Sequence, residues 1–138
     1  MTRKTAPEPA PGRKTVHVAA ESAPVRASLK ATLTLYAVAD VVETSAEGAR
    51  GLAAVEASAP DILVVSTEPG KDAAARAAGY RRAAPDAYLI GLAFSEAQAE
   101  AFREGGVDAV ARSNIGRAGF VALLRRAHER TEPPPETE

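Results

Sequence analysis

Pro60-Asp61-Ile62-Leu63-Val64-Val65 is the most β-like stretch of the chain, an unbroken aliphatic run behind a proline and an aspartate. A strand that is apolar on both faces suits the centre of a parallel sheet, where helices cover both sides. Residues 61–65 therefore predict the central strand, and Pro60 ends whatever helix precedes it. Upstream, Thr44-Ser45-Ala46-Glu47 has the form of a capping box for a helix to about Ala57, although Gly48 and Gly51 each weaken it by roughly 1 kcal/mol relative to alanine. Val38 to Val42 predicts the strand before it. Ser22 as N-cap, with Pro24 in the first turn, opens a helix whose Val25, Leu29, Leu33 and Tyr36 recur on one face, and Thr15 to Ala20 predicts the first strand.

Downstream the same alternation continues. A Pro69-Gly70 turn leads into an alanine- and arginine-rich helix from Asp72 to Arg82, and Tyr88 to Leu92 predicts a strand. Ser95-Glu96-Ala97-Gln98 repeats the capping-box pattern, and Gly105-Gly106 closes that helix with left-handed residues. Val107 to Ala111 predicts the fifth strand, and a last helix from about Gly116 to His128 turns Phe120, Leu123, Leu124 and Ala127 inward. Five strand–helix units in tandem demand right-handed crossovers, hence a parallel sheet with helices on both faces.

Composition narrows the function classes. The 138 residues amount to one domain, read as residues 15–130 between a basic, proline-interleaved tail (1–14) and an acidic, proline-rich tail (131–138), both disordered. With no cysteine, disulfides, thiolate metal sites and a thiol nucleophile are excluded, and the cytoplasm is the expected compartment. The net charge of -1 leaves no global footprint for nucleic acid or anionic lipid, and no apolar run is long enough to span a membrane. Arginines cluster on the third and fifth helices without interleaved aromatics or a helix-turn-helix, which reads as solvated helix faces.

The run from Pro60 to Val65, the Pro69-Gly70 loop, and Glu104-Gly105-Gly106-Val107-Asp108-Ala109-Val110-Ala111-Arg112 before an amphipathic helix resemble the receiver domain of bacterial response regulators, with Ser22-Ala23-Pro24-Val25-Arg26 similar to that family's Ser-Pro-x-x-Arg opening of its first helix. The resemblance spans about residues 15–130. It implies a flavodoxin-like (CheY-like) doubly wound five-stranded parallel sheet, order 2-1-3-4-5. It also implies a phosphorylation site, and here the matching positions hold Ala20 and Glu21 for the two metal-binding acids, Ser66 for the phosphate-accepting aspartate, Ala93 for the switch hydroxyl and Ser113 for the lysine. Val110 stands at the aromatic switch position. One deleted residue would bring Arg112 to the lysine position instead. Phosphoryl transfer depends on positioning and charge neutralisation, and a serine without a base is a poor stand-in for a carboxylate nucleophile. The five positions read as vestiges of the site.

No substitute is visible. Asp61 begins the strand that Ser66 ends, about 16 Å away at 3.3 Å per residue, and His17 lies about 10 Å from the same edge. Glu21 and Glu68 are the two weak candidates for holding a metal; no cofactor is implied, and no glycine-rich phosphate loop follows the first strand. The expectation is a non-enzymatic, phosphorylation-independent pseudo-receiver that binds a protein partner in bacterial signalling or regulation. Phe94, Arg112 and Arg117 mark the candidate surface, and a homodimer through helix 4, strand 5 and helix 5 is the form the resemblance suggests. The rival is a degenerate receiver still regulated by a metal or small anion at the carboxyl edge of the sheet.

Overall fold

The computed structural model describes residues 14–36, 39–68 and 71–131. The two predicted tails, apart from Lys14 and Thr131, together with Val38 and the Pro69-Gly70 turn, lie outside the described residues. The elements run β1 (Thr15–Ala20), α1 (Ala23–Leu35), β2 (Val41–Ser45), α2 (Ala49–Ser58), β3 (Ile62–Ser66), α3 (Ala73–Ala83), β4 (Tyr88–Ala93), α4 (Glu96–Glu104), β5 (Ala109–Arg112) and α5 (Gly116–Thr131). All strand pairs are parallel and the sheet order is β2-β1-β3-β4-β5, with β3 at the centre.

Strand alternation divides the core in two. Val16, Val18, Ile62, Val64, Ile90, Leu92 and Ala111 pack under α1 and α5, against Leu33, Phe120, Leu124 and Ala127. Leu63, Val65, Leu89 and Ala93 face α2, α3 and α4, against Val55, Ala77, Tyr80 and Phe102. Every side chain of β3 is buried, as its two-faced apolar pattern demands. Gly91 in β4 lets α4 close on the sheet, since a Cβ there would lie 2.5 Å from the Phe102 ring.

Several boundaries differ from the sequence reading. β2 begins three residues later than predicted and takes in Glu43, Thr44 and Ser45, so Thr44 caps nothing and Gly48, at φ 103°, is the N-cap of α2. β5 likewise ends at Arg112 rather than Ala111. Tyr36 is the C-cap of α1 and 39% exposed, not part of its buried face. Of Gly105 and Gly106 only the second is left-handed, at φ 97°. Lys14 is tied to the sheet, its N–H donating to Asp40 Oδ2 at 2.7 Å.

His17 is a packed strand residue. Its Nε2 lies 2.8 Å from Ser45 Oγ and its Nδ1 3.1 Å from Ser58 Oγ. Ser58 Oγ donates to the Val55 carbonyl, so it accepts from Nδ1–H, and Nε2 accepts from Ser45. Burial lowers the His17 pKa below its ordinary 6.5, against the opposing pull of Glu43. The folded state thus prefers the neutral ring, and its stabilising effect is complete above pH 6.5. As pH falls below 6.5 the unfolded chain takes up the proton first, and stability is lost toward the folded pKa. The denaturation midpoint of the wild type will therefore drop more steeply between pH 7 and pH 5 than that of His17→Gln; parallel curves would refute the assignment.

Candidate functional site

The carboxyl edge of the sheet is set by register. Ala20 pairs with Ser66, Ser66 with Leu92, and Ala93 with Arg112, so the positions singled out on β1, β3, β4 and β5 end side by side. Ser66 is 5% exposed, and its carbonyl accepts from Glu21 N–H at 3.4 Å. A hollow of about 260 Å³ lies here, bounded by Glu21, Ser22, Val25, Ser66, Thr67, Glu68 and Phe94. Its chemistry is sparse. The nearest ion pair joins Glu21 Oε2 to Lys71 Nζ at 3.5 Å, and Glu68 is exposed. Arg26 does not face the hollow as a free cation: its Nη1 donates to the Ala20 carbonyl at 2.6 Å and the Glu21 carbonyl at 3.2 Å, closing the end of β1.

The positions at β4 and β5 are neutral or engaged elsewhere. Ala93 is buried in the α2–α4 core, and Val110 packs against that same core. Ser113 N–H donates to the Ala93 carbonyl at 2.9 Å, holding the strand end through its backbone. Arg112 forms an ion pair with Glu96 of α4, which commits its guanidinium to that helix. A divalent cation does not fit this donor set: Mg²⁺ asks for near-octahedral oxygen ligation, whereas Glu21 is paired with an ammonium and Ala20 offers no side-chain oxygen. Among the described residues no three acids or histidines gather to hold a metal.

A second polar cluster stands beside the first. Glu47, with its side chain fully buried, pairs with Arg76 of α3, and Tyr80 Oη accepts from Gly48 N–H at 3.3 Å. Burial, then the Glu47 charge, push the Tyr80 pKa up to about 12, while the hydrogen bond to Glu47 raises that of Arg76. This cluster fastens the β2–α2 loop to α3.

The residue that organises the edge is one the sequence reading passed over. Gln98 was expected to close a capping box. Ser95 Oγ does accept from Gln98 N–H at 3.1 Å, but the Gln98 side chain turns inward, 8% exposed. Its Oε1 accepts from Phe94 N–H and its Nε2 donates to the Thr67 carbonyl, both at 2.8 Å. One amide thus staples the β4–α4 loop to the β3–α3 loop. Gln98→Ala removes both bonds and orphans two backbone groups, a loss of about 2 kcal/mol. Amide exchange at Phe94 will accelerate in that variant more than exchange in β1; unchanged protection at Phe94 would show that the staple does not hold the loop.

Phe94, Arg112 and Arg117 converge, and the first two also meet α4, Arg112 through Glu96 and Phe94 beside Ala97 and Ala101. Together with Pro24, Val25, Leu29, Leu92, Ile115 and Phe120 they line a groove of about 420 Å³ between α1 and α5, to which α4 contributes no residue. No helix among the described residues is long and apolar enough to cross a membrane.

No family model and no curated protein matches the sequence. Solved structures do. The signal receiver domain of a signal transduction histidine kinase from Syntrophus aciditrophicus superposes with a TM-score of 0.74 at 13% identity, covering 91% of this chain and 97% of that one. The chemotaxis response regulator CheY4 of Vibrio cholerae gives 0.69 at 17% identity, over 83% and 98%. A putative pilus assembly-related protein of Burkholderia pseudomallei gives 0.65 at 17%, over 94% and 99%. Sheet order, helix placement and these superpositions agree: the chain has the CheY-like, flavodoxin-type fold of response regulator receiver domains.

Proposed function

We propose that the chain is a phosphorylation-independent pseudo-receiver, a non-enzymatic module that binds a protein partner in bacterial signalling or regulation. The likeness of its fold to receiver domains supports a signalling role by analogy, and the observation that carries the rest is Ser66, a buried hydroxyl at the end of the central strand where that resemblance puts a carboxylate acceptor. A seryl hydroxyl needs a base, and the acid beside it, Glu21, is held by Lys71. The lever is gone as well. With Ala93 in place of a hydroxyl and Gln98 joining the two loops, the edge has no input to favour a second state.

The rival, regulation by a metal or small anion, has one observation on its side: Glu21 Oε1 is buried with no hydrogen-bond partner. A titration with Mg²⁺ and beryllofluoride followed by amide NMR decides between them. The pseudo-receiver leaves residues 20–22, 66–68 and 93–95 unshifted; saturable shifts there would establish the rival.

A further inference from the structure

Ser45 is bonded unlike Ser22, Ser58, Ser66 and Ser95. Ser22 and Ser95 accept from helix N–H groups, Ser58 Oγ donates to the Val55 carbonyl, and Ser66 has no base beside it. Ser45 Oγ stands 2.8 Å from His17 Nε2, and because Nδ1 carries the ring proton, Nε2 offers its lone pair to the Ser45 hydroxyl. A hydroxyl aimed at a neutral imidazole whose other nitrogen is fixed by a third group is the arrangement of an activated nucleophile. Here the third group is Ser58, 3.1 Å from Nδ1, with the Glu43 carboxylate 3.8 Å from the same nitrogen. Register holds the parts together. His17 pairs with Glu43 and Ala19 with Ser45, so His17, Glu43 and Ser45 share the sheet face that α2 covers, and Ser58 meets them from the end of that helix.

Charge and access suit the same role. Burial lowers the His17 pKa, so the ring is a free base at neutral pH. Glu43 on β2 is the charge that faces it, while α2 presents the Ser58 hydroxyl and β3 the aliphatic Leu63. When the ring takes up a proton, Glu43 favours the imidazolium. The ring is 2% exposed, whereas Ser45 is half-buried at the end of an edge strand, with Glu43 and Ala46 exposed nearby. The base is thus shielded from water, and the nucleophile lies where a small electrophile can reach it.

We propose that Ser45 is a modification site, a nucleophilic serine that takes an acyl group from an activated ester or thioester with His17 as its general base. Oγ attacks the carbonyl carbon while its proton passes to Nε2. The tetrahedral intermediate then collapses, the bond to the leaving oxygen or sulfur breaks, and that atom takes the proton from Nε2. The products are an ester at Oγ and a free alcohol or thiol, with the ring neutral again. Acylated Ser45 no longer donates to Nε2, which leaves a buried acceptor unpaired and loosens the tie between β1, β2 and α2. Such an input lies on the far side of β1 from Ser66, and it goes beyond the protein-binding reading without depending on it.

An activated acetyl ester, p-nitrophenyl acetate, tests it on the full chain. One equivalent of p-nitrophenolate should be released in a burst, and peptide mapping should place the acetyl group on Ser45. The rate should stay level from pH 8 to pH 6.5 and fall below that as His17 is protonated, whereas hydroxide-driven acylation loses about tenfold per pH unit throughout. His17→Gln should slow the step by about a hundredfold, and Ser45→Ala should abolish it. An acetyl group found only at lysines or at other hydroxyls would overturn the proposal, as would a rate at Ser45 that follows hydroxide or is unchanged in His17→Gln. The pH profile needs only the wild type, so it decides even where a variant fails to fold. None of these results bears on the beryllofluoride titration, by which the pseudo-receiver reading stands or falls.

Discussion

Gly51→Ala will destabilise the domain by about 2 kcal/mol, although helix propensity alone predicts a gain of about 1 kcal/mol from replacing a glycine inside a helix. Gly51 lies in the first turn of α2, where that helix crosses the β2–α2 loop. A Cβ there would stand 2.3 Å from the Ala46 carbonyl oxygen and 2.4 Å from Tyr80 Oη. The first is backbone and the second belongs to a ring 1% exposed, so neither can give way cheaply. Relief would need α2 to lift from the loop, which would strain the Glu47–Arg76 pair and the Gly48–Tyr80 hydrogen bond. Gly79→Ala on α3 is the matched control. Its added methyl would meet Leu52 at 3.6 Å, an ordinary contact, so that variant should be more stable than wild type by about 1 kcal/mol. Urea denaturation of the two variants should shift the midpoint in opposite directions, and a Gly51→Ala protein at least as stable as the wild type would remove close approach as the reason for this glycine.

The same glycine shows where sequence reading stops. Read in one dimension, Gly48 and Gly51 are weak points in a helix; in three dimensions the first supplies a positive φ and the second a crossing. The central elements were legible because β3 is buried on both faces and declares it in four consecutive aliphatic residues. The edge strand β2 was not. Paired on one side only, it tolerates Glu43-Thr44-Ser45, a polar run that also imitates a helix cap, and what makes Ser45 a strand residue is its bond to His17 on the neighbouring strand. The positions at the strand ends could be placed from spacing, since register along parallel strands follows from the strands themselves. Gln98 could not be understood that way. Its bond to Thr67 spans 31 residues and depends on two loops meeting. Phe94, Arg112 and Arg117 could be grouped from the strand and helix ends that carry them, but the contribution of α1 to the groove they share depends on how that helix packs and has no signal in the sequence.

Ser66→Asp will give no phosphoprotein with acetyl phosphate and Mg²⁺, and will cost about 3 kcal/mol of stability. The new carboxylate would enter a site 5% exposed, beside Glu21, which already engages the nearest cation, Lys71. No lysine reaches the edge from β5, since Ser113 is there and Arg112 is bound to Glu96. An unpaired carboxylate in such a place either stays protonated or forces the strand end open, and both reduce stability at neutral pH. Adding Ser113→Lys should recover part of the loss by supplying the charge, without restoring transfer, because Ala20 still offers the metal no oxygen. Only with Ala20→Asp as well would the metal acids, acceptor and cation stand together, and intact mass should then reveal a phosphoryl adduct in that variant alone. The order of the series matters more than any single member. If Ser66→Asp by itself took up the phosphoryl group, then metal-binding acid and lysine would be dispensable at this edge, the serine would be a one-step loss in a working site, and the pseudo-receiver reading would fall.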